Sequence, residues 1–175
     1  MPEPDISGRP RLSIAVSTVD PSWSTISPDA AKLLRRSARR AFAAAGAAGW
    51  RGSKVGHEVS FMLTDDKSMR KLNRSYRGKD RPTNVLSFAS LDGAKPKTSV
   101  PWLLGDIVLA AGVIAREARQ QAKKLDHHLS HMAVHGMLHL MGYDHEDDAD
   151  AEIMEALEIE ALAGMGIANP YETRP

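Results

Sequence analysis

The chain contains no cysteine, which excludes disulfide bonds and thiolate metal ligands. Its first residues lack the basic-then-apolar pattern of a secretory signal. Its longest apolar run, residues 41–50, is too short to cross a bilayer. We therefore expect a cytoplasmic protein that does not bind membranes. With 175 residues, of which 42% are hydrophobic and 26% charged, the chain is long enough for one globular domain with a real core.

Net charge is also small, at +1, but the charges are unevenly distributed. Residues 1–100 contain 18 basic and 9 acidic side chains, whereas residues 101–175 contain 5 and 13. One basic cluster consists of Arg35, Arg36, Arg39 and Arg40, and a second lies within residues 70–81. For the first cluster a solvated surface is favoured, with RNA contact as the alternative. For the second cluster contact with substrate phosphate groups is favoured, with a solvated surface as the alternative.

The residues HGMLHLMGYDH, at positions 135–145, contain three histidines at spacings of four and then six. Two histidines four residues apart share one face of a helix, so both imidazoles can reach one metal ion. Gly142 is suited to end that helix, because glycine adopts the left-handed conformation without steric cost. His145 can then return to the same ion. Three neutral imidazoles leave one tetrahedral position open, which is typical of a catalytic zinc site.

This spacing matches the long signature of zinc proteases, with one difference. Gly136 occupies the position where those enzymes carry the glutamate that activates water. A glycine inside a helix costs about 1 kcal/mol relative to alanine. We therefore expect a reason for Gly136, either room for a bulky substrate or close packing of the helix.

Periodicity predicts an α+β domain with a small mixed four-stranded sheet and about five helices. Alternating apolar residues predict strands at 12–16, 59–63, 85–89 and 107–110. Helices are predicted at 27–46, after Asp65 or Asp66, at 112–124, from Asp126 across the histidines, and from Asp147. Residues 1–10, with three prolines, are predicted to be a disordered tail before a domain at 11–171, and residues 90–103 a loop.

Other polar residues near the histidines have ordinary interpretations. His128 and His131 lie on the same predicted helix and are expected to form hydrogen bonds or face solvent rather than bind the metal. The carboxylates of the last helix are expected to be solvated. Asp144 is a candidate to orient a ligand imidazole, and a turn-forming aspartate is the alternative.

Four stretches together resemble the YbeY family of bacterial endoribonucleases, which act in ribosomal RNA maturation. They are the histidine stretch, LNRSYRGKDRPTNVLSF at 72–88, LGDI at 104–107 and GIANPY at 166–171. The resemblance extends over about residues 11–171. It implies a zincin-like site in which His135, His139 and His145 bind one Zn²⁺ per chain, and it identifies Arg77 as the catalytic arginine.

The resemblance further implies a single-strand-specific enzyme that matures the 3′ end of 16S ribosomal RNA and acts in ribosome quality control. The expected partners are ribosomal RNA and the ribosome, including ribosomal proteins, and no DNA. Arg70, Arg74, Lys79 and Arg81 are candidate substrate-binding residues beside Arg77. Two alternatives are open: a metallopeptidase of the zincin type, and a non-enzymatic ribosome-assembly factor with a structural metal.

Overall fold

Four strands form the centre of the protein in the computed structural model, which describes residues 11–91 and 95–172. They are β1 (Arg11–Thr18), β2 (Gly56–Thr64), β3 (Val85–Ala89) and β4 (Trp102–Ala110). The order across the sheet is β1-β2-β4-β3. Strands β1, β2 and β4 are parallel, and the edge strand β3 is antiparallel to β4. The predicted disordered tail, residues 1–10, lies outside the described residues.

Six helices surround this sheet in the described part of the chain. They are α1 (Trp23–Ile26), α2 (Ala30–Ala47), α3 (Asp66–Arg77), α4 (Ala111–Gln120), α5 (Leu125–Leu140) and α6 (Asp148–Ala163). The predicted α+β domain with a small mixed four-stranded sheet is confirmed. The additional helix, α1, is a single turn that positions Trp23, whose buried indole donates to the Thr64 carbonyl oxygen at 3.0 Å. Among the described residues, no helix is both long and apolar enough to cross a membrane.

Two of the predicted helix starts are correct at the N-cap. Asp65 and Asp147 each cap a helix by accepting a hydrogen bond from the backbone N–H three residues later, at 2.6 Å and 2.8 Å. The helix predicted at residues 27–46 begins later, at Ala30, with Asp29 as its N-cap, and the helix predicted at residues 112–124 is Ala111–Gln120. The prediction for Asp126 is wrong, because α5 begins one residue earlier with Lys124 as its N-cap. Asp126 lies in the first turn and instead accepts a hydrogen bond from the Ser27 hydroxyl at 2.8 Å.

Strand β4 is longer than predicted, because it begins at Trp102, inside the loop predicted for residues 90–103, and also includes residues 104–106. The pairing between β2 and β4 shifts register next to Glu58 and Val59, and Gly105 adopts a φ of +142° there. A side chain at Gly105 would overlap the carbonyl oxygen of Phe88. This glycine and the irregular register interrupt the alternation of apolar residues, so periodicity does not predict the first part of the strand.

Helix α5 packs against one face of the sheet and α3 against the other. Gly136 of α5 lies against Ile107 and Ser87, and a Cβ at this position would come within 2.9 Å of the Ile107 side chain. Close packing, rather than room for substrate, therefore accounts for Gly136. A glutamate here would carry its carboxylate into the interface with the sheet, where burial of a charge is costly. On the opposite face, α3 buries Met69 against Leu86 and Val108.

Candidate metal centre and basic residues

The three predicted ligands come together at the end of α5. His135 and His139 lie one turn apart and are half-buried, with ring centroids 4.5 Å apart. The helix ends at Leu140, and Gly142 turns the chain back with a φ of +98°. The ring of His145 then lies 5.5 Å from that of His135 and 5.0 Å from that of His139. Each histidine offers a nitrogen within 4.8 Å of the other two, so one ion can contact all three.

Hydrogen bonds fix the tautomers of two ligands. The Nδ1 of His139 lies 3.0 Å from the carbonyl oxygen of Tyr143, which can only accept, so Nδ1 carries the proton. The Nδ1 of His135 donates to the Glu158 carboxylate at 2.6 Å. In the neutral imidazoles both Nε2 atoms are therefore unprotonated, and they face each other at 3.0 Å. Two lone pairs at this distance repel unless a cation lies between them, so the donor set fits a metal ion.

His139 is also electrostatically suited to bind a metal. Burial and the neighbouring imidazoles of His135 and His145 lower its pKa below the ordinary value. A lowered pKa favours the neutral imidazole, which is the form that coordinates metals. Asp144 accepts the backbone N–H of His145 at 2.7 Å and lies 3.3 Å from its Nδ1. Both side chains are about half exposed, and the predicted orienting role of Asp144 stays a prediction.

Glu158 of α6 is the residue that the sequence argument missed. The prediction that the acidic residues of this helix are solvated is wrong for Glu158, which is 1% exposed. One carboxylate oxygen accepts from His135, and the other accepts from His131 at 2.9 Å and from the Tyr171 hydroxyl. Burial alone would raise the pKa of Glu158, but these hydrogen bonds outweigh burial and lower its pKa to about 2. A permanently charged acceptor thus holds His135 in the ligand tautomer.

The sequence does contain a signal for Glu158. Met154, Leu157 and Ala161 form the buried stripe of α6, and Glu158 falls inside that stripe, four residues after Met154. A carboxylate at a core position requires partners, because an unpaired buried charge is strongly destabilising.

Replacing Glu158 with glutamine is expected to weaken zinc binding by about 10–100-fold. An amide has one acceptor oxygen and two N–H donors, so it cannot satisfy the three donors that surround the carboxylate. Chelator competition measures the affinity, and nitrogen-15 NMR of the metal-free protein reports the tautomer of each histidine. We expect His135 to change and His139 to keep its Nδ1 proton. Glu160→Gln, an exposed change on the same helix, is the matched control. An unaltered His135 tautomer in Glu158→Gln would contradict this role.

A second histidine–glutamate pair, between buried His128 and partly buried Glu117, accounts for His128 and for Asn84 of the 72–88 stretch. The Nε2 of His128 contacts the Glu117 carboxylate at 2.7 Å, and the Asn84 side chain donates to both oxygens of that carboxylate at 3.0 and 3.1 Å. Burial would raise the pKa of Glu117, but the hydrogen bonds from His128 and Asn84 lower it overall. His128 and His131 are therefore hydrogen-bonding residues, as predicted, and His131 supports the metal centre through Glu158.

The predicted substrate-binding residues lie on and after α3, and all are exposed. Arg70 is occupied, because its guanidinium binds both oxygens of Asp80 at 2.9 and 2.8 Å. Arg74, Arg77, Lys79 and Arg81 form no side-chain hydrogen bond or ion pair within residues 11–91 and 95–172. Arg77 is the last residue of α3, and the described contacts do not join it to the histidines. Its catalytic role stays a prediction.

Helices α3 and α5 nevertheless flank the same edge strand. On β3, the Ser87 hydroxyl donates to the Gly136 carbonyl oxygen of α5 at 3.3 Å. The next residue, Phe88, faces the other way and packs edge-to-face on Tyr76 of α3, with ring centroids 4.8 Å apart. A strand with α5 on one face and α3 on the other brings the basic end of α3 and the metal helix to one edge of the sheet.

The fold and this donor set together define an α+β protein with three histidines arranged so that they could bind one metal ion. Comparison with known proteins narrows that class: the profile of the family Endoribonuclease YbeY matches residues 25–166. The chain belongs to the YbeY family, as the resemblance of its motifs indicated.

Individual relatives agree with this family. The chain is 49% identical over 162 residues to Endoribonuclease YbeY of Paramagnetospirillum magneticum, a match that covers 91% of this chain and 96% of the relative. It is 56% identical over 120 residues to Endoribonuclease YbeY of Bradyrhizobium diazoefficiens, covering 67% of this chain and 66%, just under two thirds, of that protein. A solution structure from Thermotoga maritima has a similar fold, with a TM-score of 0.50 at 21% identity, over 93% of this chain and 97% of that one.

Proposed function

We propose that this chain is a zinc-dependent endoribonuclease that cuts single-stranded RNA. Its substrate in the cell would be ribosomal RNA, with action at the 3′ end of 16S ribosomal RNA and in ribosome quality control. The ribosome, with contacts to ribosomal proteins, is the corresponding partner, and the cytoplasm the corresponding location. Membership of the YbeY family supports the activity, and the basic residues of and after α3 support a polyanionic substrate.

One observation carries the proposal of metal-dependent chemistry. The Nε2 atoms of His135 and His139 face each other at 3.0 Å while their Nδ1 atoms are held by Glu158 and Tyr143. The lone pairs of both Nε2 atoms are therefore available to bind one cation, and His145 provides a third nitrogen. A zincin-like set of three histidines keeps one position open for substrate or water.

Zinc, when bound, supplies a Lewis acid that polarises a phosphoryl oxygen and lowers the pKa of water. The protein residues would orient the metal ligands and bind the phosphate. Three neutral imidazole ligands would leave the full charge of the ion to act on the substrate. Glu158 orients His135, and the Tyr143 carbonyl orients His139. Arg77 would bind the phosphate with two parallel N–H donors and offset the charge that develops during cleavage.

The peptidase alternative shares the ligand spacing but lacks the glutamate that serves zinc proteases as general base, because Gly136 occupies its position. Gly136 packs on the sheet, so no carboxylate reaches the metal from this position. Glu158 is fully engaged with two histidines and Tyr171, and its pKa of about 2 makes it a poor proton acceptor at neutral pH.

Cleavage assays with single-stranded RNA, duplex RNA and casein separate the three functions. We expect cleavage of single-stranded RNA alone, loss of cleavage with a chelator, and recovery when zinc is restored. Because each neutralised phosphate releases counterions, RNA binding should also weaken steeply with salt.

The other outcomes assign the protein differently. Zinc-dependent cleavage of casein would establish a peptidase. RNA binding without cleavage in the zinc-loaded protein would favour an assembly factor with a structural metal. A salt-independent affinity for RNA would contradict a phosphate-binding role for the basic residues.

A further inference from the structure

The outward face of α2 is a second basic surface, separate from the end of α3. We call it the α2 basic surface, and it consists of Lys32, Arg35, Arg36, Arg39 and Arg40. Four of these side chains are exposed and Arg35 is half-buried. They line a groove of about 730 Å³ in which Asp29 is the one acidic side chain. The five cations lie within about 12 Å along the helix axis.

These cations have no counterions within the described residues. None of the five forms an ion pair or a side-chain hydrogen bond in residues 11–91 and 95–172. They also approach one another: Arg36 is four residues from Lys32 and from Arg40, and three from Arg39. Like charges at these spacings destabilise a helix. A solvated face usually mixes both signs, whereas this one concentrates a single sign at a cost in stability.

The α2 basic surface runs beside the metal helix. The Ser27 hydroxyl, just before α2, binds Asp126 at the start of α5, and the Trp50 indole, just after α2, donates to the Met141 carbonyl oxygen at 2.7 Å. Helices α2 and α5 are therefore parallel, with their C-terminal ends together. A ligand that follows α2 towards its C-terminal end is led to Met141, one residue before the Gly142 turn that positions His145.

We propose that the α2 basic surface binds the phosphate backbone of single-stranded RNA that extends beyond the metal centre. This inference rests on the proposed function and adds a second binding surface to it. Four of the five cations are arginines, whose planar guanidinium groups bind phosphate oxygens in pairs. A row of cations without base-reading geometry fixes the strand without selecting its sequence.

The chemistry of α2 favours RNA over a membrane. A helix that binds a lipid surface presents apolar side chains next to its cations. The apolar face of α2 packs against the interior of the protein, where Leu34, Ala38 and Ala41 are fully buried. The exposed residues of α2 are the four exposed cations and the small side chains of Ala43 and Ala47, with no large apolar side chain among them. Such a face suits a polyanion in water.

The double variant Arg36→Gln/Arg39→Gln tests this inference. Binding is measured in chelator, which prevents cleavage, with RNA strands of about 5 and about 20 nucleotides. At 0.15 M salt we expect the longer RNA to bind about tenfold more weakly, and the slope of log affinity against log salt to fall by about 1.4, since each lost contact contributes about 0.7. Affinity for the short RNA, cleavage of it by the zinc-loaded protein, and zinc content should not change.

The variant should fold normally. Both positions are exposed, glutamine is a good helix former, and the substitutions remove like-charge pairs. We therefore expect a Tm equal to or slightly above that of the parent. Lys54→Gln/Lys97→Gln, which removes the same charge from two exposed loop residues, is the matched control and should keep most of the affinity for the long RNA.

The outcomes separate this inference from the proposed function. If the parent binds and cleaves RNA while the double variant binds the long strand as tightly as the parent, the inference is wrong and the proposed function stands. If the parent binds neither RNA, both are wrong. If the double variant instead loses binding to vesicles of anionic lipid and keeps RNA affinity, the α2 basic surface is a lipid-binding surface.

Discussion

Replacing His139 with alanine is expected to abolish stoichiometric zinc binding. His139 provides one of the two Nε2 atoms that face each other at 3.0 Å, and two histidines rarely hold zinc tightly. The metal-free protein should fold normally, because the substitution also removes the repulsion between the two lone pairs. Metal analysis of the purified variant measures the stoichiometry. In a thermal unfolding series, zinc should raise the Tm of the parent and leave that of the variant unchanged.

His127→Ala is the control for this experiment. His127 belongs to the same helix, lies three turns before His139, and makes no side-chain hydrogen bond among the described residues. Its loss should leave zinc content at one ion per chain. A His139→Ala protein that still purified with one tightly bound ion would overturn the ligand assignment and, with it, the proposed metal chemistry.

The sequence predicts this site well because its determinants are local. The spacing of His135 and His139 on one helix face and the glycine at 142 depend on a few consecutive residues and on helix geometry. The same holds for the caps at Asp65 and Asp147, and for strand β3, whose observed bounds match residues 85–89. Where a feature depends on residues of one helix or strand, the periodicity of that element is sufficient to predict it.

Features that depend on contacts between distant elements are not predictable in this way. Glu158 joins α6 to His131 and His135 of α5 and to Tyr171, so its role depends on how two helices and the following segment pack. Gly136 is explained only by the approach of α5 to β3 and β4. The order of the strands and the hidden first half of β4 likewise follow from long-range pairing, which local patterns do not specify.

Arg77 is only partly predictable from local sequence. Its predicted role as the catalytic arginine comes from the resemblance of residues 72–88 to the family, and it is the last residue of α3. Gly78, with a φ of +67°, ends the helix and redirects the chain. A structural role is the competing explanation, since a cation in the last turn stabilises a helix by about 0.3–1 kcal/mol through the helix dipole.

Arg77→Ala is expected to reduce RNA cleavage by about 10²–10³ and to leave zinc content unchanged, because losing one preorganised donor to a transition-state charge has an effect of this size. A purely structural Arg77 would instead lower the Tm slightly and leave cleavage near the parent rate. Single-turnover cleavage with saturating RNA measures the chemical step, and metal analysis and thermal unfolding of the same preparation measure the other two quantities. Arg77→Lys should recover only part of the rate, since an ammonium cannot bind phosphate with two parallel donors.

Lys67→Ala provides the matched control, because Lys67 is an exposed cation in the first turn of the same helix. Removing this charge should weaken RNA binding a few-fold at most through the general field of α3 and leave the single-turnover rate unchanged. Equal losses in Lys67→Ala and Arg77→Ala would mean that α3 contributes only diffuse attraction for RNA. Cleavage by Arg77→Ala at the parent rate would remove this arginine from the mechanism and leave the metal ion that His135, His139 and His145 would hold as the remaining proposed catalytic group.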